Sequence, residues 1–214
     1  GTPAKWRPMG WYQDSSITVH TVDTSVAHSG SNSALVNNLK NNHAYYVQQV
    51  NLQPNTSYRL SGWIRTENIG EGIDGAGISI LDKFETGGDV RGTVSSWQQV
   101  QLFVQTTSGI TSAQVMLQIG NYGAENSGKA WFDDIELVKV DNIPEGATIA
   151  RLEKTVQPEP AQQEGQTQQL GQKSMSAFTL FIIIAGIIIG VGVVILIVIL
   201  LMRKKSKESV SSKE

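Results

Sequence analysis

The chain has 214 residues, no cysteine and a formal net charge of −2. That excludes disulfides, thiolate metal sites and cysteine nucleophiles, and argues against a nucleic-acid binder, which needs a basic face. Aromatics at 7% and charged residues at 17% are not the composition of a disordered chain.

Residues 1–140 carry short apolar–polar alternations punctuated by Asn, Gly, Ser and Pro. The pattern predicts strands over 16–22, 33–37, 44–52, 57–66, 76–81, 97–104, 112–119 and 129–138. Pro54-Asn55-Thr56 is the turn between the third and fourth of these. No stretch before residue 177 has a 3.6-residue period, so eight strands in about 140 residues predict an all-β sandwich. Period two assigns faces. Tyr58, Leu60 and Ile64 point one way, and Arg59, Ser61, Trp63 and Arg65 the other. Val115, Leu117 and Ile119 go inward while Gln114, Met116 and Gln118 go outward. Val100, Leu102 and Val104 oppose Gln99, Gln101, Phe103 and Gln105. The outward sets are amides and aromatics with little charge, a surface suited to neutral polyols. Rings stack on sugar C–H faces, and amides hydrogen-bond hydroxyls.

Residues 141–176 are dominated by Gln, Glu, Pro and Gly and read as a flexible linker, with a short helix over 147–156. From Ala177 to Met202 no residue is charged, and about 20 apolar residues suffice for a transmembrane helix. Gly186 and Gly190 form a GxxxG, a helix-packing face for a second copy or another membrane subunit. Residues 203–214 hold five Lys/Arg against two Glu. This places the tail in the cytoplasm and the N-terminal domain outside, in a single-pass cell-membrane topology. That topology requires an export signal, so a leader removed ahead of Gly1 is expected. Asn55-Thr56-Ser57 is one glycosylation sequon.

Four stretches carry a family resemblance: Ala27–Leu35 (AHSGSNSAL), Tyr46–Trp63 (YVQQVNLQPNTSYRLSGW), Ser96–Val100 (SWQQV) and Ala130–Leu137 (AWFDDIEL). In order and spacing they resemble the carbohydrate-binding modules of the galactose-binding-like jelly-roll type, as appended to xylanases and glucanases. The resemblance implies a jelly-roll β-sandwich that binds a neutral oligo- or polysaccharide without catalysis. It departs at the start, where residues 1–11 match the segment just after the family's first strand. Processing inside a precursor, a fragment, or an edge strand from another polypeptide would each account for that.

The resemblance also implies a structural calcium ion, with Asp133 supplying a side-chain ligand and the turn around Ser31 supplying carbonyls. Strand parity with Ile135 and Leu137 points Asp133 inward at the sandwich rim. The alternative is that Asp133 accepts backbone N–H groups in a turn. Trp63 and Arg65, with Gln118 and Tyr122, are the expected sugar-binding residues. Trp97 and Tyr58 are expected in the core. Trp6 and Trp11 are expected over the gap left by the missing strand, and His20, His28 and His43 in turns or on the surface.

Catalytic and nucleotide readings fail on context. Gly70–Gly75 matches GxGxxG but runs into a strand, and Gly123–Ala130 is one residue short of a P-loop. Asp133 and Asp134 are adjacent on a strand and cannot flank one glycosidic bond. The expectation is a membrane-anchored glycan-binding module outside the cell, with no enzyme activity and no organic cofactor. Its rival is an accessory single-span subunit of a larger membrane complex, its sandwich binding protein.

Overall fold

The computed structural model describes residues 1–71 and 74–154. Within them, eleven strands run in chain order: β1 (Arg7–Gly10), β2 (Thr18–Asp23), β3 (Ser33–Asn42), β4 (Ala44–Asn51), β5 (Ser57–Ile69), β6 (Ala76–Ile80), β7 (Thr86–Val90), β8 (Gly92–Thr106), β9 (Ser112–Ile119), β10 (Asn126–Val140) and β11 (Ile149–Leu152). They form two sheets, ordered β1-β4-β9-β6-β7 and β11-β8-β5-β10-β3-β2. Every pairing is antiparallel except β11 on β8. The all-β sandwich expected from the alternation is what forms.

All eight expected strands are present, and β3, β5, β8 and β10 are longer than the pattern suggested. β1, β7 and β11 are additional. β11 corrects the sequence reading: Ile149–Leu152 pairs in parallel with Phe103–Thr106 as a strand, where a helix within a linker was expected. Ala150 and Leu152 are buried there. The GxxxG glycines Gly186 and Gly190, the apolar run and the basic tail lie outside the described residues. Among the described residues no helix is long and apolar enough to cross a membrane.

The core lies between the sheets. Tyr58, Leu60 and Ile64 of β5 meet Val115, Leu117 and Ile119 of β9, with Leu102, Val104 and Phe132 alongside. Removing these side chains from water is the main stabilising term, since each fully buried aliphatic contributes about 1.5–3 kcal/mol. The expected turn at Pro54-Asn55-Thr56 is present. Asn55 takes a positive φ of 49°, and Thr106 Oγ1 accepts the Thr56 N–H at 2.9 Å while donating to the Gln53 carbonyl at 2.7 Å.

Only His43 separates β3 from β4, so the chain passes between sheets in one residue. That crossing is fixed by buried amides. Asn42 Nδ2 donates to Thr18 Oγ1 at 2.8 Å, Thr18 Oγ1 donates to Asn38 Oδ1 at 2.7 Å, and Asn38 Nδ2 reaches the Asn126 carbonyl at 2.9 Å. Asn126 in turn holds the loop of the GxGxxG pattern, donating to the Gly70 and Asp74 carbonyls at 3.0 Å each. Buried polar groups satisfied in this way specify a single arrangement of the loops.

Candidate functional site

The register of the five-stranded sheet sets the rows on its outward face. Met9, Tyr45, Gln118 and Gly77 lie side by side, and Arg7, Val47, Met116, Ser79 and Thr86 form the next row. Two loops close over one end. Asn121, in the β9–β10 turn, donates from Nδ2 to the Phe84 carbonyl in the β6–β7 turn at 3.4 Å. The β9–β10 turn is tight at Gly120, where φ is 75° and a Cβ would stand 2.6 Å from the Ala124 carbonyl oxygen.

These loops assemble an aromatic cluster. The His43 ring lies 5.0 Å from Tyr45 and 5.2 Å from Tyr122, and Tyr122 lies 5.8 Å edge-on to Phe84. Phe84 is 74% exposed. At the base of the cluster, Gln118 Oε1 accepts Ser79 Oγ at 3.1 Å and lies 3.3 Å from His43 Nε2. Two partners on the oxygen fix the amide plane, and its NH2 has no hydrogen-bond partner among the described residues. Gln118 lines a cleft of about 140 Å³ together with Phe84, Asn121, Thr86 and Asp89. Burial lowers the pKa of His43, against the Gln118 hydrogen bond that raises it. Burial raises the Tyr45 hydroxyl. Both side chains are therefore neutral at pH 7. Asp89, at the rim, is held below the usual carboxylate range, first by hydrogen bonding from the Arg91 side chain.

The four expected sugar-binding residues are split between opposite sides of the sandwich. Gln118 and Tyr122 come together in this cluster. Gln118 is only 1% exposed because loops and long side chains cover this face, so neither it nor Met116 is the solvated outward residue that alternation predicted. Trp63 and Arg65 lie on the outer face of the other sheet, as members of β5. There the Trp63 ring is stacked by His28 at 4.0 Å, with Trp97 edge-on to His28 at 5.7 Å. Arg65 lies over Trp131, 5.6 Å from its ring centre. Trp97 is thus half-buried on the outer face rather than in the core, and His28 and His43 are packed against aromatic rings.

Asp133 is also relocated. The pairing of β10 with β5 slips between Asp133 and Glu136, and Asp134 takes a positive φ of 47°. This bulge breaks the parity with Ile135 and Leu137, so Asp133 sits opposite Trp63 on the outer face. Its Oδ2 accepts the His28 N–H at 2.7 Å and the Ser29 N–H at 3.2 Å, and its Oδ1 accepts the Asp134 N–H at 2.9 Å. Ser31 is exposed in the same turn. Both carboxylate oxygens of Asp133 thus accept backbone N–H groups in the turn. Among the described residues no three His, Asp or Glu side chains group as a metal site.

Tyr45, His43, Ser79 and Phe84 are the site residues that sequence reasoning missed. Tyr45 was within reach, since it alternates with core-facing Tyr46. The contribution of Phe84 depends on two loops meeting and leaves no local signal.

No protein-family model matches the chain. The tRNA nuclease WapA of Bacillus subtilis (strain 168) is 28% identical over 100 residues, which is 44% of this chain and 4% of that protein. The tRNA(Glu)-specific nuclease WapA of Bacillus subtilis subsp. natto matches to the same extent. The chain thus spans a small fraction of the length of the curated relatives it matches. Similar solved structures include the C-terminal family 22 carbohydrate-binding module of Clostridium thermocellum Xyn10B. It is 15% identical, with a TM-score of 0.44, over 67% of this chain and 92% of that one. A CBM4 structure has a TM-score of 0.43 at 15% identity, over 65% and 89%. TmCBM61 in complex with β-1,4-galactotriose has a TM-score of 0.41 at 15% identity, over 65% and 92%. At these scores the likeness bears on neither ligand nor activity.

Proposed function

We propose that residues 1–154 form a non-catalytic glycan-binding module. It holds a neutral oligo- or polysaccharide on the outward face of the five-stranded sheet, around Tyr45, Tyr122, Phe84 and Gln118. The observation that carries the reading is the ring cluster itself. Exposed aromatic edges surround an amide whose oxygen is already engaged, so its NH2 stays available for a hydroxyl, beside a histidine that is uncharged at pH 7. Apolar ring faces and fixed, uncharged donors suit sugar rings better than ionic ligands.

The uncharged run 177–202 and the basic tail after it support a second part of the proposal. The module is anchored in a membrane by one span, faces outward, and gains avidity when spans associate through Gly186 and Gly190. Xylohexaose and β-1,4-galactotriose, the ligands in two of the similar structures, are the first to test.

A glycan array probed with the wild-type protein and with Tyr122→Ala tests the binding reading. Binding of a neutral glycan that Tyr122→Ala weakens about tenfold, close to 1.4 kcal/mol, supports the site. Unchanged binding by Tyr122→Ala, or no binding to any neutral glycan, removes it.

A further inference from the structure

The cleft beside Gln118 is small. At about 140 Å³ it is close to the roughly 150 Å³ cavity that takes one six-membered ring. It falls well short of the roughly 300–1,000 Å³ of sites that enclose larger ligands. Glycine makes the room: Gly75, Gly77, Gly88 and Gly120 all line it. Gly77 pairs with Gln118 across β6 and β9, and a Cβ on Gly77 would stand 2.8 Å from the Gly88 carbonyl oxygen. Glycine inside paired strands leaves peptide groups bare, where a ligand can approach them closely.

Hydrogen bonds join the elements around the cleft. Asn121 links the β9–β10 turn to the β6–β7 turn through the Phe84 carbonyl. The Gly75 N–H donates to Asp89 Oδ1 at 2.7 Å, which ties the start of β6 to the end of β7. Arg91 Nε lies 3.0 Å from each oxygen of the same carboxylate, so Asp89 is already engaged. Three other polar groups that line the cleft have no hydrogen-bond partner among the described residues: the Gln118 NH2, the Thr86 hydroxyl and the Asp74 carboxylate. Gln118 is 99% buried, and a buried donor left unmet is costly. A donor, an acceptor and a hydroxyl that can be either suit neighbouring hydroxyls on one sugar ring.

We propose that this cleft takes the terminal ring of a glycan, so that the module recognises a chain end and not the interior of a chain. The inference rests on the glycan-binding reading above and narrows it. There is room for one ring, and the rest of the chain leaves past the exposed Phe84 and Tyr122. The terminal ring is a neutral pyranose, because the Asp74 carboxylate repels the like charge of a uronate. Thr86 sits on the outward row beside Ser79, so an aromatic side chain at this position would fill the cleft from its rim without entering the core.

The test is saturation-transfer-difference NMR on the full-length protein in detergent. The probes are galactose, glucose, mannose, xylose and N-acetylglucosamine, each with its β-1,4-linked trisaccharide. The expected result is transfer to at least one monosaccharide, with its trisaccharide binding within about threefold of the same affinity. Transfer within the trisaccharide should concentrate on one terminal ring. Thr86→Phe should abolish binding while the urea midpoint stays near that of the wild type, and Thr86→Val, which removes only the hydroxyl, should weaken it. A trisaccharide that binds at least about tenfold tighter than its monosaccharide, with transfer spread over all three rings, would overturn the chain-end inference and leave the glycan reading standing. So would unchanged binding by Thr86→Phe. A monosaccharide that binds while its trisaccharide does not would also overturn the chain-end assignment. No transfer to any of the ten sugars would overturn this inference and the glycan reading together.

Discussion

The Trp131 indole N–H lies 2.8 Å from Asp23 Oδ2, and this bond is the largest cause of a carboxyl pKa lowered to about 2, ahead of Ser25. A carboxyl depressed on folding adds stability above its unfolded value of 3.8, and that contribution is lost as pH falls toward about 2. Trp131→Phe should raise the Asp23 pKa toward 3.8 in a carboxylate NMR titration and flatten the stability loss in that window. His43 has the opposite ionisation and the same acid sensitivity. Burial lowers its pKa from 6.5, so the unfolded chain takes up the proton first and stability falls as pH drops below 6.5. Protonation also puts a charge among the rings of the proposed glycan site. Glycan affinity is therefore expected to decline only at lower pH, where the folded protein itself takes up that proton, and His43→Gln should remove that decline. Trp63→Ala should leave glycan binding unchanged while lowering Tm, because its ring packs against His28 across the sandwich from the cluster.

At the scale of elements, alternation was a sound guide where one face of a strand is buried and a poor one elsewhere. In β5 it separated Leu60 and Ile64 from Trp63 and Arg65, as found. In β9 every residue from Val115 to Ile119 is buried, so the pattern that marked Gln118 as solvated had no second face to report. In β10 a single bulge shifted the phase, and nothing in Asp133-Asp134 announces a positive φ. β11 escaped notice because four residues are too few to show a period and because its partner, β8, lies more than forty residues earlier in the chain. The strand is nonetheless part of the fold. Leu152→Ala should destabilise the domain by about 2–3 kcal/mol, within the range for buried leucines, and shift the urea midpoint without changing the slope. A slope that changed would mean that β11 unfolds separately.

For the molecule as a whole, the sandwich was legible because turn residues and strand propensity recur throughout residues 1–140. The binding surface was not, because sequence cannot say which sheet a strand joins. Trp63 and Tyr122 were assigned to one cleft, yet Trp63 lies on the six-stranded sheet and Tyr122 in the β9–β10 turn beside the other sheet. Leu102→Ala, in the middle of the core, should cost about 2–5 kcal/mol and reduce glycan binding only through loss of folded protein. A chemical-denaturation curve read beside the binding isotherm separates those effects. The parallel pairing of β11 with β8 has a mechanical consequence. Any load carried by the chain beyond Lys154 enters the domain through that edge strand. Tension along the strand shears its hydrogen bonds together, whereas tension across the sheet peels them one at a time. The direction of pull, rather than equilibrium stability, would then set the force at which the domain begins to come apart.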